Sequence, residues 1–206
     1  MDGEQRRRLV SWVGVEPERV EAAAVRLDGD RLAAHGTSTT SDWTVTYRLR
    51  TGPDWVTERL DVHVDDRHAG RRLSLFRGDD GWSATRRDEP DDGPVRAWSV
   101  ELPDLERALD CDLGLSPLTN TMPILRTGSI TAAQDGPGGP VDIRVAWVSV
   151  PDLEVTADDQ RYAVDGPVVG GGALVRFSAN DFVSDIEVDA DGLVVNYPGI
   201  ARRLTG

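Results

Sequence analysis

Alternation of apolar and polar residues at period two is the feature that most narrows what this chain can fold into. Trp43–Arg50, Trp55–Val64, Arg72–Arg77, Trp82–Arg86 and Val95–Leu102 alternate or nearly so, and the pattern resumes in Asp142–Val150, Arg161–Val164, Ala173–Phe177, Ser184–Val188 and Leu193–Tyr197. Such segments are strands with one buried and one wet face. Between them, Gly52-Pro53-Asp54, Asp79-Asp80-Gly81, Asp91–Pro94, Asp135–Pro140 and Asp189–Gly192 supply turn residues at hairpin spacing, too short for helical crossovers. Gly170–Gly172 predicts a bulge or a close backbone approach. Helical spacing is confined to Glu18–Leu27, through Val20, Ala23, Ala24 and Leu27, and to a brief Asp104–Ala108 after Pro103. The chain is therefore expected to be all-β: a single domain over 1–206 built on one strongly curved, many-stranded antiparallel sheet, a roll or half-barrel with few short helices. A concave face follows, filled by side chains or open to an apolar ligand.

Against this regularity stands Asp110–Arg126, which contains Pro117 and Pro123 and reads as a rigid, irregular loop over Leu118–Met122 that aims Thr119, Asn120 and Thr121. The plainer interpretation is a connection whose hydroxyls and amide satisfy its own backbone.

Composition removes several classes. The formal charge of −13 repels phosphate backbones and anionic headgroups, so no nucleic-acid partner is expected unless the arginines gather in one place. All 23 of the Lys and Arg residues are arginine. The lone Cys111 forms no internal disulfide, and flanking Asp110 and Asp112 oppose thiolate formation. Arg6–Arg8 followed by Leu9–Val15 mimics an export signal but is broken by Ser11, Gly14, Glu16 and Pro17; a cytoplasmic protein without stable membrane insertion is expected. His63 between Asp61 and Asp65 lacks a second histidine at metal spacing and reads as a solvated strand face. Asp189-x-Asp191-Gly192 lacks the rest of a calcium loop and reads as a turn. No nucleotide, hydrolase or metalloprotease motif occurs, and neither cofactor nor metal is expected. Six tryptophans against three phenylalanines, five of them (Trp43, Trp55, Trp82, Trp98, Trp147) in predicted strands, suit a lined hollow as well as a packed core.

Four ordered motifs, Asp112–Ile124, Trp147–Pro151, Gln160–Tyr162 and Asp191–Gly199, make the chain resemble the bacterial glycolipid-binding family from about Trp12 to Arg203. The resemblance implies a curved β-roll similar to the half-barrels that carry lipids or lipoproteins. One departure is local: Leu125 stands before Arg126 where the family pattern has consecutive arginines, so a two-arginine clamp is not supplied. The expected function is non-catalytic binding of a small hydrophobic or glycolipid-like ligand, its apolar chain in the concave face. A polar rim is assigned to Asp112, Thr119, Asn120, Thr121 and Arg126, with Gln160, Tyr162, Asn196 and Tyr197 as additions. The alternative is a hydrolase acting on a glycosyl or acyl conjugate with Asp110 and Asp112, on one strand face, as acid and base.

Overall fold

The computed structural model describes residues 5–136 and 138–204; Pro137 of the predicted Asp135–Pro140 turn lies outside them. All strands join one 15-stranded sheet. The first eight form a meander in chain order: β1 (Arg6–Gly14), β2 (Arg19–Asp28), β3 (Arg31–Thr39), β4 (Trp43–Thr51), β5 (Thr57–Asp66), β6 (Ala69–Gly78), β7 (Gly81–Pro90) and β8 (Arg96–Ser99). The chain then crosses to the far edge at β9 (Asp110–Leu113) and returns inward. It passes through β10 (Val141–Val148), β11 (Val155–Val168), β12 (Gly172–Ala179), β13 (Phe182–Val188), β14 (Val194–Tyr197) and β15 (Ala201–Arg203), which closes onto β1. Neighbours pair antiparallel except β9 with β10, which are parallel because the connection between them is a helical crossover rather than a hairpin.

The sheet is open but rolled. Its edge strand β9 meets the inner face of β5, where the Cys111 amide donates to Thr57 Oγ1 at 3.0 Å and the Thr57 amide to the Leu109 carbonyl at 2.9 Å. Alternate residues of β1–β7, among them Trp12, Leu27, Leu49, Leu60 and Leu75, form one core with Cys111, Leu113, Leu118 and Met122 of the crossover. The inner face of the meander is thus largely occupied by the chain itself. A second, more aromatic core under β11–β14 holds Tyr162, Phe177, Ile186 and Tyr197 with Ile124 and Ala133.

Several expectations need correction. Glu18–Leu27 is not a helix but mostly strand β2: Glu21, Ala23, Val25 and Leu27 are buried, while Ala22 and Ala24 are only half-buried on the other face. Alanines on both faces satisfy either period, and pairing with β1 and β3 overrides helix propensity. Asp104–Ala108 is likewise not helical, since Asp104 Oδ1 accepts the Glu106 amide at 3.1 Å and so diverts a donor into a local turn. Trp55 lies in a 3₁₀ turn, Pro53–Trp55, before β5 begins.

The predicted irregular loop is mostly helical: a 3₁₀ turn over Pro117–Asn120 runs into α1 (Thr121–Arg126), followed by α2 (Ser129–Asp135). The prolines permit this because Pro117 opens its turn and Pro123 sits in the first turn of α1, where an amide hydrogen has no intrahelical acceptor. Gly170 and Gly171 form the β11–β12 turn, and the bulge falls earlier, between Val164 and Gly166. Gly172 is a close approach, since a Cβ there would overlap the Val188 carbonyl.

Candidate ligand-binding site

Strand β9 has two chemically different faces. Cys111 and Leu113 enter the aliphatic core, so period two turns Asp110 and Asp112 the other way. Asp112 Oδ1 accepts from the Thr119 hydroxyl at 2.7 Å, and its Oδ2 from Gln160 Nε2 at 2.8 Å. Gln160 Nε2 also reaches Asp158 Oδ2 at 3.2 Å. The Tyr162 hydroxyl lies 3.1 Å from both Asn120 Oδ1 and Gln160 Oε1, and its single proton serves one of them at a time. Thus the 3₁₀ turn supplies Thr119 and Asn120, and β11 supplies Gln160 and Tyr162, to one network around Asp112. Desolvation raises the Asp112 carboxyl above its ordinary value, opposed by donors from Thr119 and Gln160.

Asp110 is buried and accepts from Arg126 Nη2, which α1 brings back over β9. Burial outweighs that arginine and pushes the Asp110 carboxyl up to about 6. Its Oδ1 and Arg126 Nε have no hydrogen-bond partner among the described residues. Cys111 is an inert core thiol, pushed up to about 12 by burial.

Beside this network opens a cleft of about 750 Å³. Asp112 and Asn120 stand on its polar side. Trp147, Phe177, Phe182, Tyr197 and Ile200 provide apolar wall, with Phe177 and Tyr197 edge to face at 5.9 Å between ring centroids.

The nine expected site residues divide by position. Asp112, Asn120 and Tyr197 line this cleft; Arg126 and Gln160 line a neighbouring one of about 650 Å³ with Arg144 and Arg161. Thr119, Thr121 and Tyr162 are buried behind them, and Asn196 is half-buried in β14 opposite Glu187. Of the five tryptophans expected in strands, Trp147 alone lines the 750 Å³ cleft.

Sequence reading passed over Glu21, buried at the inner face of β2. Its Oε1 accepts from Tyr47 at 2.8 Å and Ser116 at 2.5 Å, while Oε2 has no partner among the described residues. Desolvation pushes this carboxyl up to about 7, against both hydroxyl donors and Arg19. A carboxylate at an inward position of an alternating strand was the available signal, hidden by reading β2 as helix. His63 Nε2 lies 3.2 Å from Asp65 Oδ1 without forming a hydrogen bond, and no metal-binding group of acidic, histidine or cysteine side chains occurs among the described residues. The Asp189–Gly192 turn is organised by its own amides, with Asp189 Oδ1 accepting from Asp191 and Leu193, and Asp191 receives Arg6 and Arg8.

A family model described as "Putative glycolipid-binding" matches residues 9–203. The chain belongs to that family. Its structure is similar to the crystal structure of a DUF1089-family protein from Pseudomonas aeruginosa, with TM-score 0.61 and 27% identity over 89% of this chain and 92% of the other. The comparison with curated proteins gave no match. Among the described residues no helix is long and apolar enough to cross a membrane.

Proposed function

We propose that this protein binds a glycolipid-like amphiphile without chemically transforming it. The head group sits at Asp112 and Asn120, and the apolar chain runs along Trp147, Phe177 and Phe182. The observation that carries this reading is the junction, in one ligand-sized cleft, of a carboxylate and an amide with flat aromatic wall. Sugars need paired hydrogen-bond groups next to an apolar face, and lipid chains need only the latter. Thr119, Gln160 and Tyr162 hold the rim side chains from behind, while Arg126 neutralises Asp110. The occupied inner face of the meander favours this cleft over the centre of the sheet for the chain. A precursor lipid or amphiphilic metabolite of the cytoplasm suits the reading.

The hydrolase reading rests on one feature, an Asp110 carboxyl near 6 on the same strand face as Asp112. Asp110 is buried and salt-bridged rather than open on the Trp147 cleft, which favours a structural role.

Native mass spectrometry and lipid extraction of the purified protein, compared with Trp147→Ala and Asp112→Asn, test the proposal. An amphiphile that copurifies with the parent is expected to be lost from Trp147→Ala and largely retained by Asp112→Asn, which keeps one acceptor oxygen. Turnover of a glycosyl or acyl-ester substrate that disappears in Asp112→Asn by the ~10²–10⁴-fold of a lost acid or base, with binding intact, would overturn it.

A further inference from the structure

The outer face of β1–β5 collects charge of the sign that the chain as a whole lacks. Strand register places Arg7 opposite Arg26, Arg26 opposite Ala33, Ala33 opposite Arg50 and Arg50 opposite Arg59. In the adjacent row, Leu9, Ala24, His35, Arg48 and Asp61 follow one another across the same strands. These rows bound a shallow groove of about 690 Å³ whose floor is Ala24 and Ala33. Like charges directly opposite across strands oppose folding, so the Arg7–Arg26 alignment calls for a reason other than stability. Asp61 engages Arg59 and Glu58 engages Arg50; among the described residues Arg26 and Arg48 have no carboxylate within 4.0 Å, although Asp61 stands opposite Arg48 and its carboxyl is held down in part by that charge.

Apolar side chains bracket the arginines. Leu9 is 81% exposed at one end and Phe76, opposite Arg59 on β6, is 48% exposed at the other. Arginines interspersed with an aliphatic and an aromatic side chain on one open face match the boundary between headgroups and acyl chains. A nucleic-acid strand is a poorer fit, because base recognition without sequence readout needs a series of aromatic platforms between the charges, and these rows hold only the His35 imidazole there, with Phe76 at their end. With a formal charge of −13 on the whole chain, an anionic surface repels the rest of the molecule and admits this face.

We infer that the outer face of β1–β5 is a peripheral docking surface for a membrane leaflet bearing anionic phosphate headgroups, contacted by Arg26 and Arg48 with Leu9 at the interface. This goes beyond ligand binding in the Trp147 cleft and rests on different residues.

Flotation of the full chain with phosphatidylcholine vesicles, with and without phosphatidylglycerol, at low and at physiological salt, tests it. Partitioning that requires phosphatidylglycerol and weakens with salt is expected. The double variant Arg26→Gln/Arg48→Gln should partition at least about tenfold more weakly, as two basic residues at an anionic surface imply, with an unchanged melting temperature. Leu9→Ser should reduce the part that survives salt. Asn120→Ala should leave vesicle partitioning untouched, which separates failure here from failure of the cleft reading. The inference is overturned by equal partitioning to both vesicles or by undiminished binding of the double variant. Tighter binding to single-stranded RNA than to vesicles at the same salt also overturns it. So does size-exclusion chromatography in which the double variant dissolves an oligomer of the parent, because the face would then be an interface between copies.

Discussion

The two halves of the sheet solve the same packing problem differently. In β1–β8 each strand pairs with its sequence neighbour, and the inner face is mainly aliphatic, sealed by Cys111, Leu113, Leu118 and Met122 of the crossover. In β9–β15 strands also pair with their sequence neighbours, but with a parallel junction, register shifts at Val164/Gly166 and Glu187/Val188 against the single one at Arg50/Thr51 in β1–β8, and short closing strands; the core is built on Tyr162, Phe177 and Tyr197. The cleft and the Asp112 network both sit in this second half or where the crossover meets it. Regular pairing thus provides the frame, and departures from it position the groups available to a ligand.

The strongest test of this contrast lies in the sealed half. Leu60→Ala, at a fully buried position, is expected to cost ~2–5 kcal/mol in chemical denaturation and to leave ligand uptake per folded molecule unchanged. A drop in uptake among folded molecules would mean that the halves are functionally coupled.

Next is Glu21, where the halves meet through Ser116. Its carboxyl stands near 7 in the fold against an ordinary 4.5, so the folded state holds the proton more tightly than the unfolded chain does. The stability this contributes is complete below about 4.5 and is lost as pH rises through about 7. Glu21→Gln should flatten that part of the profile and gain roughly 2–3 kcal/mol over the parent at pH 8, measured by urea unfolding across pH. An unaltered pH profile would show that Glu21 is solvated.

Asn120→Ala probes the irregular half. It removes the amide facing Tyr162 and the cleft, and is expected to cost ~1–3 kcal/mol along with ligand affinity. A thermal midpoint and an uptake both equal to the parent's would remove Asn120 from frame and site alike. The smallest effect belongs to Arg144→Ala, which breaks a bidentate but solvent-facing pair with Asp159 and should cost no more than ~1 kcal/mol, shrinking with added salt.

Sequence legibility cut across this division. Trp43–Arg50, Arg72–Arg77 and Trp82–Arg86 fall inside observed strands because one apolar face per strand leaves only one period that buries it. Strand β2 was misread where Ala22, Ala23 and Ala24 make both periods acceptable, and β11 was seen only as Arg161–Val164 because Asp158, Asp159 and Gln160 conceal its alternation. The rim residues Asp112 and Asn120 were legible as polar groups in a proline-bounded segment. Their aromatic partners Phe177 and Phe182 were not, since those lie more than 50 positions away on β12 and β13.

Local sequence therefore determined that this chain is a many-stranded antiparallel protein, that Cys111 is inert and that Asp110–Arg126 is its chemically distinctive segment. Period, turn residues and flanking charge act over a few residues and need no knowledge of the rest of the chain. Tertiary structure alone decided that Pro117 and Pro123 sit inside helical turns, that Glu21 is a buried acid, and that arginines from separate strands gather on one outer face. Each of those depends on which strands become neighbours. Pairing register, set by the burial of the whole sheet, carries that information across distances that local spacing does not span.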